Sequence, residues 1–454
     1  MEFVPHVEDE LAYLFHARLF AAGQLWAPAP AEILRPGLDY YLLTIEGDRW
    51  FGVTTPGWPA ILAFGTYLGQ PWLLNPLLAG IAIWLAYDTI RRIADQETAL
   101  VAAMLLASSA WFLASGATLM PHLASTVLSL MAWWLLVRSR GTVPAALLAG
   151  AAMGALFTVR QLEAVILGGV TGFLLLGLAW PDRKFLPVLG YGIGCIAIGS
   201  LYFLYNMTMT GSFLTAPMEP YLDALWHDGA NAYGFGPEIG PRERWGALDY
   251  APGHSLTEGL IGAAHNVFST NFEFLGWSIG SLGLFLAHLL WGRKNRLDIL
   301  AYAIIAFTII AHLGYWFTGS FYIGPRYWSG LMVPLAYLSA RGFFTIGHRL
   351  SLPAHRMLPV LWVMVLTGLL VFVPWRGVEK YQGYGNYDGE FRRTASAQDF
   401  EARFVVYDGP RNPGVALFLN SPDLPDDRPI FLRGDAEFDE GGIGDSIMHW
   451  PLSN

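Results

Sequence analysis

Cysteine and charge are both scarce in this sequence. Its 454 residues include one cysteine, Cys195, and only 14% of them are charged. One cysteine excludes a disulfide framework and any zinc site built on several thiolates. Soluble domains have about a quarter of their residues charged, well above the 14% found here. Hydrophobic residues make up 54% of the chain, and its mean hydropathy is +0.40. We therefore expect a multi-pass membrane protein.

Several familiar signatures are also missing. The sequence shows no Walker loop, no Ser/His/Asp triad and no Cys/His metal cluster, and Gly234, Gly236 and Gly240 miss the dinucleotide-binding spacing. No series of carboxylates lies within the apolar runs, which counts against an ion-coupled transporter. Only three of the 27 basic residues are lysine, a bias that indicates a prokaryotic source.

Apolar runs dominate the chain. Ten of them are each roughly 17–21 residues long, the length that a helix needs to cross a bilayer core of about 30 Å. Two shorter runs, at 6–23 and 57–69, have helical spacing and predict surface helices. The predicted spanning helices lie near 72–90, 99–117, 118–137, 143–159, 162–180, 186–205, 274–291, 298–317, 327–347 and 357–374.

The connections between these runs differ in charge. One alternating set, from Asp88 to Arg356, carries 12 basic and five acidic residues, whereas the remainder carries 15 basic and 31 acidic residues. Cytoplasmic loops carry an excess of Lys and Arg. We therefore expect the N-terminus, the loop at 206–273 and the tail from 375 to lie outside the cytoplasm, in the plasma (bacterial inner) membrane.

The predicted topology raises a question about the first 70 residues. They are predicted to lie outside the cytoplasm, but the sequence shows no signal peptide that would carry them across the membrane. We expect a spanning helix upstream of Met1 that carries them across. The alternative is that the helix at 72–90 inserts with its short N-terminal arm translocated.

Three parts are predicted. Residues 1–70 form a first outer loop with two surface helices, and residues 71–374 form a transmembrane helical domain that includes the outer loop 206–273. Residues 375–454 form a small α/β or β-rich extracytoplasmic appendage, with strands at 403–407, 415–420 and 429–432. The expected fold class is an all-α polytopic membrane protein with about ten spanning helices, two outer surface helices and this small tail.

An acidic triplet, Glu8-Asp9-Glu10, opens the first surface helix. One of these carboxylates is a candidate general base for an acceptor hydroxyl. The structural alternative is helix capping, with Asp9 as N-cap and acids favoured in the first turn, and both roles are compatible. The spacing of His6, Glu8 and Asp9 fits no specific metal site.

Three arginines lie at or near the predicted outer boundary. Arg160 separates two apolar runs, Arg326 follows Gly324-Pro325 at the start of another, and Arg18 lies on the first surface helix. Arginine offers a planar fork of donors that suits phosphate. The alternatives are snorkelling to the interface for Arg160 and Arg18, or pairing of Arg160 with Glu163. His122 also begins an outer helix, where a lone histidine is usually structural.

The order of these motifs resembles the GT-C superfamily, the polyprenyl-phosphate-sugar-dependent membrane glycosyltransferases that include protein O-mannosyltransferases and aminoarabinose transferases. Asp9-Glu10, followed by Tyr13, Ala17 and Gly23, resembles the family's acidic outer loop. Residues 55–59 (Thr-Pro-Gly-Trp-Pro) resemble its proline-rich turn, and residues 324–327 (Gly-Pro-Arg-Tyr) resemble the start of a late helix. The family has a spanning helix immediately before the acidic loop, which agrees with the helix expected upstream of Met1.

The resemblance implies an inverting transfer of a sugar from a polyprenyl-phosphate donor to a lipid, glycan or protein acceptor. Asp9 would be the base, with Glu10 orienting it or replacing it. Arg160 and Arg326, with Arg18, would bind the donor phosphate. Glu8, His122 and Tyr327 are further candidates for substrate binding. Membrane lipids are expected partners, and nucleic acid, metal ions and other cofactors are not.

Two other classes remain open on the sequence. A lipid or sugar-lipid translocase would share the many helices but would place polar groups inside several spans, whereas the charges here gather at the outer ends. A non-enzymatic envelope assembly protein would use residues 375–454 for interaction and would not need the acidic triplet.

Overall fold

A computed structural model describes residues 2–243, 252–277, 280–320, 322–398, 400–436 and 447–450. The chain divides into two compact units. Unit 1 comprises Met1–Leu74, Ala117–Met120 and Gly377–Asn454, and unit 2 comprises Asn75–Gly116 and Pro121–Arg376. The elements below are numbered in chain order.

The first part of unit 1 packs helices against a small antiparallel sheet. Both predicted short helices are present, as α1 (Glu8–Ala21) and α3 (Gly57–Tyr67), with the single turn α2 (Arg35–Leu38) between them. The strands are ordered β1-β3-β2. Their bounds are Ala27–Pro28 for β1, Leu43–Glu46 for β2 and Arg49–Gly52 for β3.

The two short helices that were predicted to lie on the membrane surface differ in how exposed their apolar residues are. Its apolar residues Leu11, Leu14 and Leu19 are at most 2% exposed, because they form the core of unit 1. On α3, in contrast, Phe64 and Tyr67 are 66% and 77% exposed. Apolar spacing marks a face that avoids water, but it does not distinguish a protein core from a lipid surface.

The C-terminal part of unit 1 contains a three-stranded parallel sheet, ordered β5-β4-β6. The predicted strands at 403–407 and 429–432 are confirmed, whereas the predicted strand at 415–420 is wrong. A single helical turn begins there instead at Gly414, whose N–H donates a hydrogen bond to the Asn412 side chain at 2.9 Å. The elements are α18 (Gly389–Ala397), β4 (Phe404–Tyr407), α19 (Gly414–Leu417), β5 (Ile430–Arg433) and β6 (Ile447–Trp450).

The two ends of the sequence meet within unit 1. Arg18 donates hydrogen bonds to the carbonyl oxygens of Phe418 and Asn420 at 2.7 and 2.6 Å. The hydroxyl of Tyr40 hydrogen-bonds to that of Tyr387. The predicted ranges 1–70 and 375–454 therefore belong to one compact body.

Unit 2 is a bundle of helices. Within the described ranges of the chain, four helices are long and apolar enough to cross a membrane, and α5 with α6, bent by 61°, makes a fifth candidate. The predicted count of ten spans is therefore not confirmed. The bounds are α4 (Leu74–Ile93), α5 (Gln96–Ala107), α6 (Ala110–Gly116), α7 (His122–Arg138), α8 (Val143–Val159), α9 (Gln161–Ala179), α10 (Leu186–Thr210), α11 (Met218–Leu225), α12 (Leu256–Glu273), α13 (Gly283–Trp291), α14 (Arg296–His312), α15 (Met332–Arg349), α16 (Ala354–Thr367) and α17 (Val373–Arg376). The four long candidates are Pro71–Ile93, Gln161–Ala179, Leu186–Thr210 and Arg356–Tyr381.

Two predicted spans start later than the apolar pattern indicates. Within the run at 274–291, the described helix is Gly283–Trp291, and Gly276 before it has a φ of +66°, which is incompatible with regular helix. The run at 327–347 begins as a 3₁₀ turn over Arg326–Leu331, in which Trp328 departs from helical geometry, and α15 starts at Met332.

Helices α8 and α10 approach each other through glycines. A Cβ added to Gly194 would overlap the carbonyl oxygen of Leu147, and one added to Gly150 would overlap that of Tyr191. Gly150 and Gly154 are four residues apart, the spacing that permits close helix contact in membranes. Ile196 on α10 is apolar and 72% exposed, as a surface that faces lipid requires.

The change Gly194→Ala is expected to lower the melting temperature of the purified protein, because α8 and α10 must move apart to admit the methyl group. Overpacking of this kind costs about 1–3 kcal/mol. Gly192→Ala on the same helix is the matched control, since nothing lies within 4 Å of its Cβ position. Equal melting temperatures for the two variants would contradict the close contact.

Candidate functional site

Arg160 lies at the junction between α8 and α9 in unit 2. Its backbone is extended (φ −149°, ψ 99°), so α8 ends at this residue and α9 begins after it. Its side chain makes no capping hydrogen bond to either helix. Its Nε lies 2.8 Å from Oε2 of Glu163, which is buried. The pairing that the sequence left open is therefore present, and it holds the guanidinium at this junction.

Tyr327 brings two arginines together. The Cζ atoms of Arg160 and Arg326 each lie 5.4 Å from the centre of the Tyr327 ring, a cation–π arrangement. Arg326 is only 8% exposed, and it also lies over the ring of Phe317 at 5.8 Å. We call Arg160, Arg326 and Tyr327 the arginine cluster.

The loop before Arg326 is shaped to fit this cluster. Gly319 has a φ of +67°, and a Cβ there would overlap the Tyr327 ring. The rings of Tyr315 and His312 also face Tyr327, with centroids 5.3 and 6.5 Å away. The sequence analysis missed His312 and Tyr315, because an aromatic loop between apolar runs carries no specific motif.

Buried polar groups surround the arginine cluster. His122 begins α7 as predicted, is fully buried, and interacts electrostatically with both Arg160 and Arg326. Among the described residues, neither of its ring nitrogens has a hydrogen-bond partner. Buried polar atoms normally have partners, so this region has the donors and acceptors of a binding site for a polar group.

The ion pair between Arg160 and Glu163 is expected to contribute to stability. Glu163→Gln leaves the arginine charge without its partner, and breaking a buried pair in this way costs about 3–5 kcal/mol. The melting temperature of the variant should therefore fall clearly below that of the wild type. Glu97→Gln, at an exposed position in the first turn of α5, is the control and should leave it unchanged. A Glu163→Gln variant with the same melting temperature as the control would show that the ion pair makes no net contribution to stability.

The acidic triplet lies in the first turn of α1, in unit 1. Glu10 is fully buried, and its Oε2 accepts a hydrogen bond from the His6 N–H at 3.2 Å, whereas Glu8 and Asp9 are partly exposed. The alternative that Asp9 caps the helix is wrong, because the N-cap is Val7, without a side-chain bond. Burial, the nearby Tyr40 and the carboxylates of Glu8 and Glu10 raise the pKa of Tyr387.

Arg18, the third predicted phosphate ligand, lies on the same helix as the triplet. It binds the two backbone carbonyls of the C-terminal segment, and burial lowers the pKa of its guanidinium to about 10. The guanidinium remains cationic at neutral pH, but its Nη1 already donates hydrogen bonds to those two carbonyl oxygens. The structure thus gives Arg18 a structural role that the sequence did not indicate, because the partners lie 400 residues away. Among the described residues, no three His, Cys, Asp or Glu side chains are grouped to hold a metal ion.

The described helices and their apolar outward faces define a multi-pass membrane protein, with arginines clustered where helices end. A family model for dolichyl-phosphate-mannose-protein mannosyltransferase matches residues 54–203. No curated protein matches the sequence.

Solved structures provide a wider comparison. The structure of ArnT from Cupriavidus metallidurans bound to undecaprenyl phosphate matches with a TM-score of 0.54 and 15% identity, covering 92% of this chain and 81% of that one. The apo state of the same protein matches with a TM-score of 0.53 and 13% identity, covering 94% and 81%. The predicted resemblance is confirmed: the chain has the fold of the GT-C superfamily of membrane glycosyltransferases.

Proposed function

We propose that this protein is an inverting glycosyltransferase that moves a sugar from a polyprenyl-phosphate donor to an acceptor hydroxyl on the extracytoplasmic face of the membrane. The observation that carries the proposal is the arginine cluster, in which the guanidiniums of Arg160 and of the buried Arg326 lie over one tyrosine ring. The match over 54–203 and the fold shared with ArnT, whose structure contains undecaprenyl phosphate, support it.

In this proposal Arg160 and Arg326 bind the phosphate of the donor. A phosphate carries negative charge and accepts several hydrogen bonds, which guanidinium groups supply in a fixed planar geometry. The charge on this phosphate grows as its bond to the sugar breaks. The two arginines therefore stabilise the leaving group more strongly in the transition state than in the ground state.

Asp9 is proposed as the general base. It accepts the proton of the acceptor hydroxyl while the hydroxyl oxygen bonds to the anomeric carbon of the sugar. The bond from that carbon to the phosphate oxygen breaks, polyprenyl phosphate leaves, and the configuration at the carbon inverts. Of the two carboxylates proposed for this role, Asp9 is the accessible one and Glu10 is buried, so Glu10 orients the helix turn.

The extracytoplasmic placement rests on the charge distribution of the loops and is tested by labelling. In a Cys195→Ser background, single cysteines at Ser255 and Ser421, both outside the apolar helices, should react with an impermeant maleimide added outside intact cells. A cysteine at Lys294 should react only after the cells are opened. Labelling in the opposite pattern would overturn the topology.

Donor-dependent transfer is the test of the function itself. Membranes containing the protein, extended upstream to include any preceding helix, would be given undecaprenyl phosphate carrying one of several labelled sugars, with native membrane acceptors. Transfer of label with release of undecaprenyl phosphate supports the proposal. No transfer from any donor by a folded, inserted protein would contradict it and favour a translocase or an assembly protein.

A further inference from the structure

The C-terminal ends of α4 and α7 carry arginines that the proposed transfer does not use. Asp88 of α4 is buried, and its carboxylate accepts hydrogen bonds from Arg91 and, at 2.6 Å, from Nε of Arg92. It also accepts one at 2.9 Å from Nε1 of Trp134 on α7. This buried carboxylate therefore holds both arginines in place and joins the two helices.

A third arginine lies beside this pair. The Cζ atom of Arg138, the last residue of α7, lies 5.1 Å from the centre of the Trp134 ring, a cation–π arrangement. We call Asp88, Arg91, Arg92, Arg138 and Trp134 the Asp88 cluster. All three of its arginines are exposed, whereas its carboxylate is buried. Three positive charges and one negative charge leave the cluster with a net charge of +2.

The Asp88 cluster retains hydrogen-bond donors for an anion. A guanidinium has five N–H groups, and Asp88 engages one nitrogen of Arg91 and one of Arg92. Within the described ranges, these two ion pairs are the only ones that the arginines of the cluster make. Of the next two acids along the chain, Asp95 uses both carboxylate oxygens to cap α5, and Glu97 is exposed in the first turn of that helix.

A row of exposed apolar side chains on α4 leads to the Asp88 cluster. Leu77, Ile81 and Trp84 are all exposed, and their spacing of four and three residues places them on one face of the helix. Arg91 follows Trp84 by two helical turns on that face, about 10 Å further along the axis. The Trp84 ring packs against Trp134, with ring centroids 5.5 Å apart. An apolar chain lying on this row would therefore end at the arginines.

This combination of groups fits an anionic phospholipid. Its phosphate accepts hydrogen bonds from guanidinium groups, and its net negative charge complements the excess positive charge of the Asp88 cluster. Its acyl chains pack on the apolar row, and tryptophan is favoured at the level where acyl chains meet head groups. A zwitterionic phospholipid would bring a cation to a site that is already positive. A soluble phosphate compound would contact the arginines but not the row.

We infer that the Asp88 cluster binds the phosphate of an anionic phospholipid whose acyl chains lie along Leu77, Ile81 and Trp84. The charge distribution of the loops places this end of the helices on the cytoplasmic side, so the lipid belongs to the cytoplasmic leaflet. It contacts α4 and α7 together and stabilises their association. The inference does not depend on the proposed transfer, because the donor phosphate binds the arginine cluster.

Lipid binding to the purified full-length protein tests the inference. Native mass spectrometry would give dissociation constants for phosphatidylglycerol and for phosphatidylcholine with the same acyl chains, and the wild type should bind phosphatidylglycerol more tightly. Each arginine near a lipid head group is expected to contribute about fivefold, so the double variant Arg91→Gln/Arg138→Gln should weaken phosphatidylglycerol binding by about 25-fold and leave phosphatidylcholine binding unchanged. Arg92 is kept, so that Asp88 retains an ion-pair partner.

Further variants separate this site from other sources of binding. Trp84→Ala changes an exposed side chain and should also weaken phosphatidylglycerol binding, which soluble glycerol phosphate should not displace. Arg183→Gln removes an exposed arginine between α9 and α10, on the same predicted side, and should have no effect, nor should Arg326→Ala in the arginine cluster.

Four outcomes would overturn the inference. The first is a wild type that binds the two lipids equally, and the second is wild-type affinity in the double variant and in Trp84→Ala. The third is displacement of the lipid by glycerol phosphate, which would indicate a soluble ligand. The fourth is an equal loss in Arg183→Gln or Arg326→Ala, which would indicate general surface charge or the donor site.

Discussion

Replacement of Asp9 by asparagine is expected to abolish sugar transfer while the protein remains folded. The carboxylate is the group that accepts the acceptor's proton, and an amide of the same shape is not basic. General bases contribute about 10²–10⁴ to the rate, so transfer should fall by that factor. The measurement is initial rate of transfer in membranes at saturating donor, with protein amount matched by immunoblot.

The structure provides controls for the Asp9 variant on the same helix turn. Glu10→Gln changes a fully buried side chain that receives the His6 N–H, so it should lower the melting temperature more than it lowers the rate per folded molecule. Loss of one first-turn acid costs the helix only about 0.3–1 kcal/mol, so Asp9→Asn should shift the melting temperature little. An Asp9→Asn protein that keeps most of its activity would remove Asp9 as the base.

Loss of either arginine of the arginine cluster is expected to weaken donor binding strongly. Hydrogen bonds to charged groups contribute about 1.5–3 kcal/mol each, so Arg326→Ala and Arg160→Ala should each raise the donor KM by about 10- to 100-fold. The rate should also fall, because the phosphate gains charge as it leaves. Transfer rates across a series of donor concentrations would separate the two effects.

Two further variants show whether the guanidinium itself is needed. Arg326→Lys keeps the positive charge but loses the planar fork and its stacking on Tyr327, so it should recover only part of the donor binding. Lys294→Ala removes an exposed charge whose Nζ donates to the Leu289 carbonyl, and it should have no effect. Similar losses in Arg326→Ala and Lys294→Ala would remove the phosphate role.

The sequence by itself predicted much of the helical part of this protein. Apolar runs have the length of a bilayer and lie where α4 to α10 and α14 to α16 are found, because helix formation in an apolar medium depends mainly on local hydrophobicity and length. It also predicted the positions of the candidate residues, since Arg160 and His122 interrupt or begin such runs. The GT-C resemblance followed from the order of these motifs.

Only the tertiary structure joined residues that are distant in sequence. The contact of Arg18 with Phe418 and Asn420, and the parallel pairing of β4 with β5 and β6, place the two ends of the chain in one unit. Parallel pairing leaves no local pattern, because its partners are separated by long connections. The same reason applies to α1: its spacing specified an apolar face, and only the fold brought together the residues that cover this face.

The arginine cluster shows the same division. The sequence placed Arg160 and Arg326 at two separate helix boundaries, and resemblance suggested a common ligand. The position of Arg160 over the ring of Tyr327, 167 residues further along the sequence, depends on side-chain packing between distant segments. Local sequence therefore determined which residues carry charge at the helix ends, and the packing of those ends decided that two of them share one site.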